Sequence, residues 1–215
     1  MDDIDVINAL ESLIEPRRLA RIEAAIDGRT YGLTVVLETL YDEGNMAAIM
    51  RTCEGLGVQR VNLLSIKAFK SERRITQGSH KWLDVYQYGS PESCVADLRR
   101  EGYRIVATHL EASRPIHEID FTQKTAVVFG NEREGVSSEL LKYADERMSI
   151  PMSGFVQSFN VSVAAGLTLY HALAERRRAF GQVGDLTDEE KERLRARFFR
   201  RSVRRSDVIL KRVLR

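Results

Sequence analysis

Apolar positions change period along the chain, and the changes mark its elements. Near the N-terminus Val6, Ile7, Leu10, Leu13 and Ile14 recur at helical spacing. Pro16 breaks the run, and "RRLARIEAAID" resumes it until Gly28. Short, dense apolar runs follow: "LTVVLE" (33–38), "RVNLLS" (60–65), the weaker "LDVYQY" (83–88), "YRIVATHL" (103–110) and "TAVVFG" (125–130). Between them lie "NMAAIMRTCEGLG" (45–57), a helix stopped by glycine, a loop containing "SERRITQGSHKW" (71–82), and "SPESCVADLRREG" (90–102). In the last of these, Ser90 is the N-cap, proline occupies the first turn and Gly102 lies just past the end. A final core helix is expected from about Gln157 or Ser158 to Phe180. After the linker "GQVGD", Thr187 and Glu190 are spaced as a capping box. Strands buried on both sides and alternating with helices predict an α/β fold with a mainly parallel sheet and helices on both faces. The expected organisation is an N-terminal helical extension (1–30), a core (31–180), and a linker with a basic helical arm (181–215).

The composition is that of a globular chain: of 215 residues, 43% are hydrophobic and 30% charged. No stretch approaches the ~18 consecutive apolar residues that span a bilayer, and "MDDIDVINALES" is acidic where a secretory signal is basic. Cys53 and Cys94 fit neither a metal spacing nor a disulfide framework. A cytoplasmic protein without a metal is therefore expected. The net charge of +2 conceals an asymmetry. From Arg193 to Arg215 ten Lys/Arg face one acid, Asp207, so this arm carries about +9 and the rest about −7. Such an arm suits a polyanion, or an amphipathic helix packed on a partner subunit.

Ligands of open α/β sheets bind beyond the carboxyl ends of the strands, and three unusual segments fall there. In "LETLYDEGNMAAIMRT" Asn45 opens a helix and Arg51 follows on a different stripe, either as a structural partner of a carboxylate or as a functional cation. "VVFGNEREGVSSEL" ends a strand at Phe129, places Glu132 between Gly130 and Gly135, and offers Ser137 or Ser138 as a helix cap. Glycines at such positions let backbone amides approach a ligand, though a plain strand-to-helix turn has the same composition. "IPMSGFVQSFNVSVAAG" (150–166) inserts Gln157, Ser158 and Asn160 where a buried strand would simply end. Neither G-x-x-x-x-G-K-[ST] nor a helix-opening G-x-G-x-x-G is present. His80, His109, His117 and His171 form no metal set, and His109 reads as a packing or backbone-bonding residue.

In this order, "NMAAIMRTCEGLGV", "VVFGNEREGVSSELL" and the segment from Ile150 resemble the three motifs of the SPOUT superfamily of RNA methyltransferases. They are most similar to the SpoU/TrmH family of S-adenosylmethionine-dependent RNA 2'-O-methyltransferases. "GSHKW", "VATHL" and "IPM-x-G-x-VQS-x-NVSVA" resemble its tRNA guanosine-2'-O-methyltransferase branch, and the likeness runs from Leu33 to about Arg178. The resemblance implies a C-terminal trefoil knot, a homodimer, a cytoplasmic enzyme, S-adenosylmethionine as methyl donor with no metal, and tRNA as substrate, most specifically the D-loop guanosine. It implies catalytic roles for Arg51, Asn45, Glu132, Ser158 and Asn160. It implies donor contacts, largely through backbone groups, near Thr108, Gly130, Asn131, Glu132, Ile150 and Phe159. It implies RNA contacts from Arg17, Arg18, Lys81, Arg176, Arg193 and Arg197.

Two departures concern the RNA. A basic, proline-containing segment commonly precedes the first asparagine of the branch, whereas "LYDEG" (40–44) is acidic, and an Arg-x-Arg pair in the last core helix is reduced to Ala174 and Arg176. The alternatives are methylation of ribosomal RNA, a non-catalytic RNA-binding module on the same fold, or a partner-binding protein whose arm is a dimer strut. Only about thirty helical residues precede the core, which favours tRNA over ribosomal RNA, and the intact polar set argues against a module that merely binds.

Overall fold

The computed structural model describes residues 2–40, 42–65, 78–111, 113–182 and 184–213. Most of the loop expected over 71–82, Tyr41 of the acidic segment and the last two residues of the arm lie outside them. The chain folds as two compact units, one from residues 31–183 and one that combines 1–30 with 184–215.

In the larger unit the strands are β1 (Leu33–Glu38), β2 (Arg60–Leu64), β3 (Asp84–Tyr88), β4 (Arg104–Thr108), β5 (Arg114–Pro115), β6 (Thr125–Phe129) and β7 (Glu146–Ser149). They form one sheet in the order β3-β2-β1-β6-β4-β7-β5. Every pairing recorded among the described strands is parallel. The helices are α3 (Glu43–Leu56), α4 (Pro91–Arg100), α5 (Ser138–Leu141) and α6 (Val161–Phe180). Side chains alternate across the strands. Val35 and Leu37 therefore join Ile49, Met50 and Cys53 of α3 and Leu169 and Leu173 of α6 in one core cluster. Val36 joins Cys94, Val95 and Leu98 of α4 and Leu140 of α5 in another. This is the layered α/β fold that the buried runs predict.

Three elements depart from the pattern in the sequence. β5 is two residues long, too short for a period to show. β7, "ERMS", has one apolar side chain, Met148, and escapes periodicity; it is a strand because β4 and β5 flank it and Met148 is wholly buried. The last core helix begins at Val161 rather than at Gln157 or Ser158, because Asn160 Oδ1 accepts from Ser162 N (2.8 Å) and caps it there.

The smaller unit holds α1 (Asp3–Leu10), α2 (Pro16–Asp27), α7 (Asp188–Ser202) and α8 (Ser206–Val213). α7 packs on α1 and α2, and α8 on α1. Val6, Leu10, Ile22, Ile26, Leu194, Phe198, Phe199 and Leu210 supply its buried apolar side chains. Thr187 and Glu190 form the expected capping box. Gly184 is obligatory, since a Cβ there would stand 1.8 Å from the Asp27 carbonyl oxygen. The basic arm thus packs on the chain's own N-terminal helices.

Candidate active site

Beyond the carboxyl ends of the strands, three segments distant in sequence meet through side chains. Asp42 caps α3, its Oδ1 accepting from Gly44 N (2.7 Å), which starts the helix two residues ahead of Asn45. Asn45 Nδ2 donates to Glu132 Oε1 (2.8 Å), and the same oxygen lies 3.4 Å from Asp42 N. Asn160 Nδ2 donates to Asn45 Oδ1 (3.1 Å), while Asn160 Oδ1 accepts from Ser162 N and Oγ. The polar residue that opens α6 is therefore also the one that joins α6 to α3. Of the residues expected to be catalytic, Asn45, Glu132 and Asn160 form one network. Ser158 lies on the adjoining loop with its side chain exposed. Arg51, also on α3, is exposed.

The loop carrying Glu132 is a tight hairpin. Asn131 and Gly135 exchange backbone bonds of 3.1 Å, and Asn131 Oδ1 accepts from the amides of Arg133 and Glu134. A Cβ on Gly130 would come within 1.9–2.1 Å of the backbone of Gly135 and Val136, so only glycine fits. Ser137, not Ser138, caps α5. Its own N–H donates to Glu38 Oε2 at the end of β1 (2.8 Å).

A cavity of about 570 Å³ opens between this hairpin, the segment after β4 and the 149–161 loop. Thr108, Gly130, Asn131, Glu132, Ile150 and Phe159, the residues expected around the donor, all line it, as do Ser158 and Asn160. Leu110, Phe129, Val136, Met148 and Met152 supply apolar wall, and His109 and Glu111 supply rim. His109 is a backbone-bonding residue: its N donates to Met148 O (2.9 Å), and Nδ1 lies 2.7 Å and 3.0 Å from the Glu111 O and N. A lining that mixes apolar side chains with a few polar groups suits a small organic ligand.

The RNA-contact residues fare unequally. Arg17 and Arg18 on α2 and Arg193 on α7 are exposed, and Lys81 is half-buried. Arg197 is half-buried with its guanidinium 5.7 Å from the centre of the Phe198 ring. Arg176 is corrected. Only 5% of it is exposed, and Nη1 donates to the carbonyls of Phe121 (2.9 Å) and Thr122 (3.0 Å), so it ties α6 to the turn before β6 and is not presented to RNA. Residues the sequence reading missed include Glu38, Asp42 and Ser162. Of these only Asp42 had a legible signal, an acidic cap directly before a helix.

A cavity at the carboxyl ends of parallel strands, with converging amides and a carboxylate, is the place and kind of site where α/β enzymes hold their ligands. The chain belongs to the SpoU rRNA methylase family, whose model matches residues 32–170. It is similar to a tRNA (guanosine(18)-2'-O)-methyltransferase of Borreliella burgdorferi, 35% identical over 214 residues and covering 97% of each chain. It is also similar to the crystal structure of the Aquifex aeolicus TrmH/SpoU tRNA modifying enzyme, with a TM-score of 0.79 and 35% identity over 88% of this chain and 98% of that one. The SpoU methyltransferase AviRb of Streptomyces viridochromogenes, solved in complex with the cofactor AdoMet, has a TM-score of 0.61 and 28% identity over 73% of this chain and 64% of that one.

Proposed function

We propose that this chain methylates the ribose 2'-hydroxyl of the D-loop guanosine of tRNA, with S-adenosylmethionine as donor. The observation that carries the reading is the Asn45–Glu132–Asn160 network standing beside the cavity. The cavity fits the donor: its apolar wall suits an adenine, and the glycine-dependent hairpin brings backbone groups to its edge. When bound, the donor supplies a sulfonium-activated methyl group and leaves as a neutral thioether. With the donor bound, the ribose oxygen would bond to that methyl carbon as the sulfur–carbon bond broke, and the hydroxyl proton would pass to a substrate phosphate oxygen or to water. Arg51 is almost always protonated and so a poor base. Its role is to hold a substrate phosphate and the hydroxyl and to stabilise the developing oxyanion. Asn45 and Glu132 orient α3, and Asn160 holds the start of α6 against it.

RNA is captured by the exposed basic side chains of the smaller unit, Arg17, Arg18 and Arg193 with Arg204 and Arg205. The enzyme works as a homodimer. On α6 Val163, Leu167 and Tyr170 recur at helical spacing yet are 49%, 44% and 70% exposed, and Phe155 and Val156 on the preceding loop are exposed too. A second copy is the partner this apolar stripe suits.

The test is transfer of label from S-adenosylmethionine to total tRNA and, separately, to unmodified ribosomal RNA, with the product located by nuclease digestion and mass spectrometry. A 2'-O-methylguanosine in the tRNA D-loop is expected. Label elsewhere in tRNA or in ribosomal RNA would retain the chemistry and overturn the substrate. No label in any RNA, with donor still bound, would leave a binding module.

A further inference from the structure

Thr39, the residue after β1, has φ +43°, a left-handed backbone that β-branched side chains rarely adopt. It shares positive φ with Arg205 alone among the described non-glycine residues. Such conformations persist only where their surroundings hold them, and here the hold is visible. Thr39 N–H donates to the Leu64 carbonyl at the end of β2 (2.9 Å), and Thr39 Oγ1 donates to the same oxygen (3.2 Å). The amide bond carries the β1–β2 ladder one residue past the strand, while the positive φ swings the chain off the sheet.

What lies on either side of Thr39 explains why the swing matters. Glu38 holds the Ser137 amide of the Glu132 loop. Three residues after Thr39, Asp42 presents its N–H to Glu132 Oε1, caps Gly44 with its side chain, and accepts from the amides of Asn45 (3.1 Å) and Met46 (3.3 Å). Thr39 thus stands between the strand end that holds the Glu132 loop and the cap that opens the helix carrying Asn45 and Arg51.

We propose that Thr39 is a positioning residue for the methyl transfer: its left-handed backbone, locked by two bonds to the Leu64 carbonyl, fixes the placement of α3 and its side chains against Glu132. The proposal rests on the methyltransferase reading above. Neither an ordinary turn residue nor an RNA contact would have the same kinetic signature. A turn residue affects only stability, and an exposed RNA contact affects only the KM for RNA.

The test uses the full chain with tRNA, S-adenosylmethionine and, for affinity, S-adenosylhomocysteine. Thr39→Val keeps shape and loses the hydroxyl bond; its kcat should fall about tenfold or more, the scale on which a displaced catalytic group loses rate. Its KM for tRNA and its affinity for S-adenosylhomocysteine should stay unchanged. Thr39→Ser keeps the hydroxyl and should turn over like the unaltered chain. Should the valine variant fail to fold, Thr39→Gly, which adopts the backbone without strain but lacks the hydroxyl, takes its place and should be slower than Thr39→Ser. Amide exchange at residues 42–46 supplies a readout independent of turnover: faster in Thr39→Val, unchanged in Thr39→Ser. A valine variant with full kcat, or one that raises only the KM for tRNA, overturns the proposal. Were the unaltered chain inactive on every RNA, the reaction reading would fail, and exchange at 42–46 would still decide the role of Thr39.

Discussion

Two of the polar networks in the larger unit each tie together segments distant in sequence, and they differ in what they leave open. The first centres on Arg60, whose side chain is 2% exposed. Its Nη1 donates to Glu101 (2.5 Å), Nη2 to Asp97 and Tyr88 (2.8 Å each) and Nε to Asn62 (2.8 Å), and the guanidinium lies 4.3 Å from the centre of the Tyr86 ring. Burial, then the bond to Asp97, raises the Tyr88 hydroxyl well above its ordinary value, and burial pushes the neighbouring Cys94 thiol up to about 12. These groups bond mainly to one another, and Tyr88 and Cys94 pack in the core cluster beside α4. The second network, Asn45–Glu132–Asn160, is built from two amides and one carboxylate and borders a cavity. Saturation and burial mark a structural device, whereas a few fixed groups beside open space mark a chemical one. A strongly shifted pKa does not by itself distinguish the two, since here the shifted groups belong to the structural network.

The largest expected effect separates the two networks. Arg60→Ala leaves Asp97 and Glu101 without their buried partner, and breaking such a pair costs about 3–5 kcal/mol. Glu101 is 41% exposed and can turn to water, which favours the low end. Urea unfolding should report that loss, while methyl transfer per folded molecule stays unchanged. A stable but inactive Arg60→Ala would break the distinction.

Arg51→Ala is the counterpart on the chemical side. Removing one group that stabilises developing charge typically costs 10²–10³ in kcat, about 2.7–4 kcal/mol. The loss should appear in turnover, with a smaller rise in the KM for tRNA, while S-adenosylhomocysteine affinity stays nearly unchanged. Substantial turnover in the variant would sink the role given to Arg51.

How far the sequence made this contrast legible depends on the kind of signal each residue carries. Five of the seven strands announced themselves as short apolar runs, the central ones most clearly because strands buried on both faces are dense in apolar residues, as "TAVVF" is. β7 did not, since Met148 alone marks it as buried. Asn45, Glu132 and Asn160 stood out as polar groups among apolar or glycine-rich neighbours. Their mutual bonds span 87 and 115 residues, a separation no local pattern encodes. Arg176 misled for the same reason. The resemblance gives it to RNA as the remaining half of an Arg-x-Arg pair, but the helix turns Arg176 inward, onto carbonyls of a distant turn.

The smaller unit sharpens the comparison at lower energy. Arg195 makes a two-pronged contact with Glu23 (2.7 and 2.6 Å), and Lys191 Nζ donates to Asp27 Oδ1 (2.8 Å). These cations hold α7 on α2, whereas Arg204 and Arg205 face solvent. Partly exposed pairs are worth about 0–1 kcal/mol, so Arg195→Ala should lower stability slightly and leave the salt dependence of tRNA binding alone. Replacing Arg204 and Arg205 together by alanine should instead reduce the slope of log affinity against log salt by about 1.4–1.8. An unchanged slope would remove that turn from the RNA surface.

The smallest effect tests whether the Arg60 network acts as a unit when it titrates. The hydrogen bond from Tyr88, then those from Arg60, holds the Asp97 carboxyl below the usual aspartate range. A carboxylate whose pKa is lower folded than unfolded contributes stability that is fully present above its unfolded value, about 3.9, and that is lost as pH falls through the folded value. The larger unit should therefore lose stability below about pH 4, and Asp97→Asn should flatten that loss while lowering stability at neutral pH. Asp97 is one-fifth exposed, so solvent screens part of the effect. Identical acid profiles for the variant and the unaltered chain would mean that Glu101 alone balances Arg60, and that the saturation which sets this network apart from the one around Asn45 depends on fewer groups than its bonds suggest.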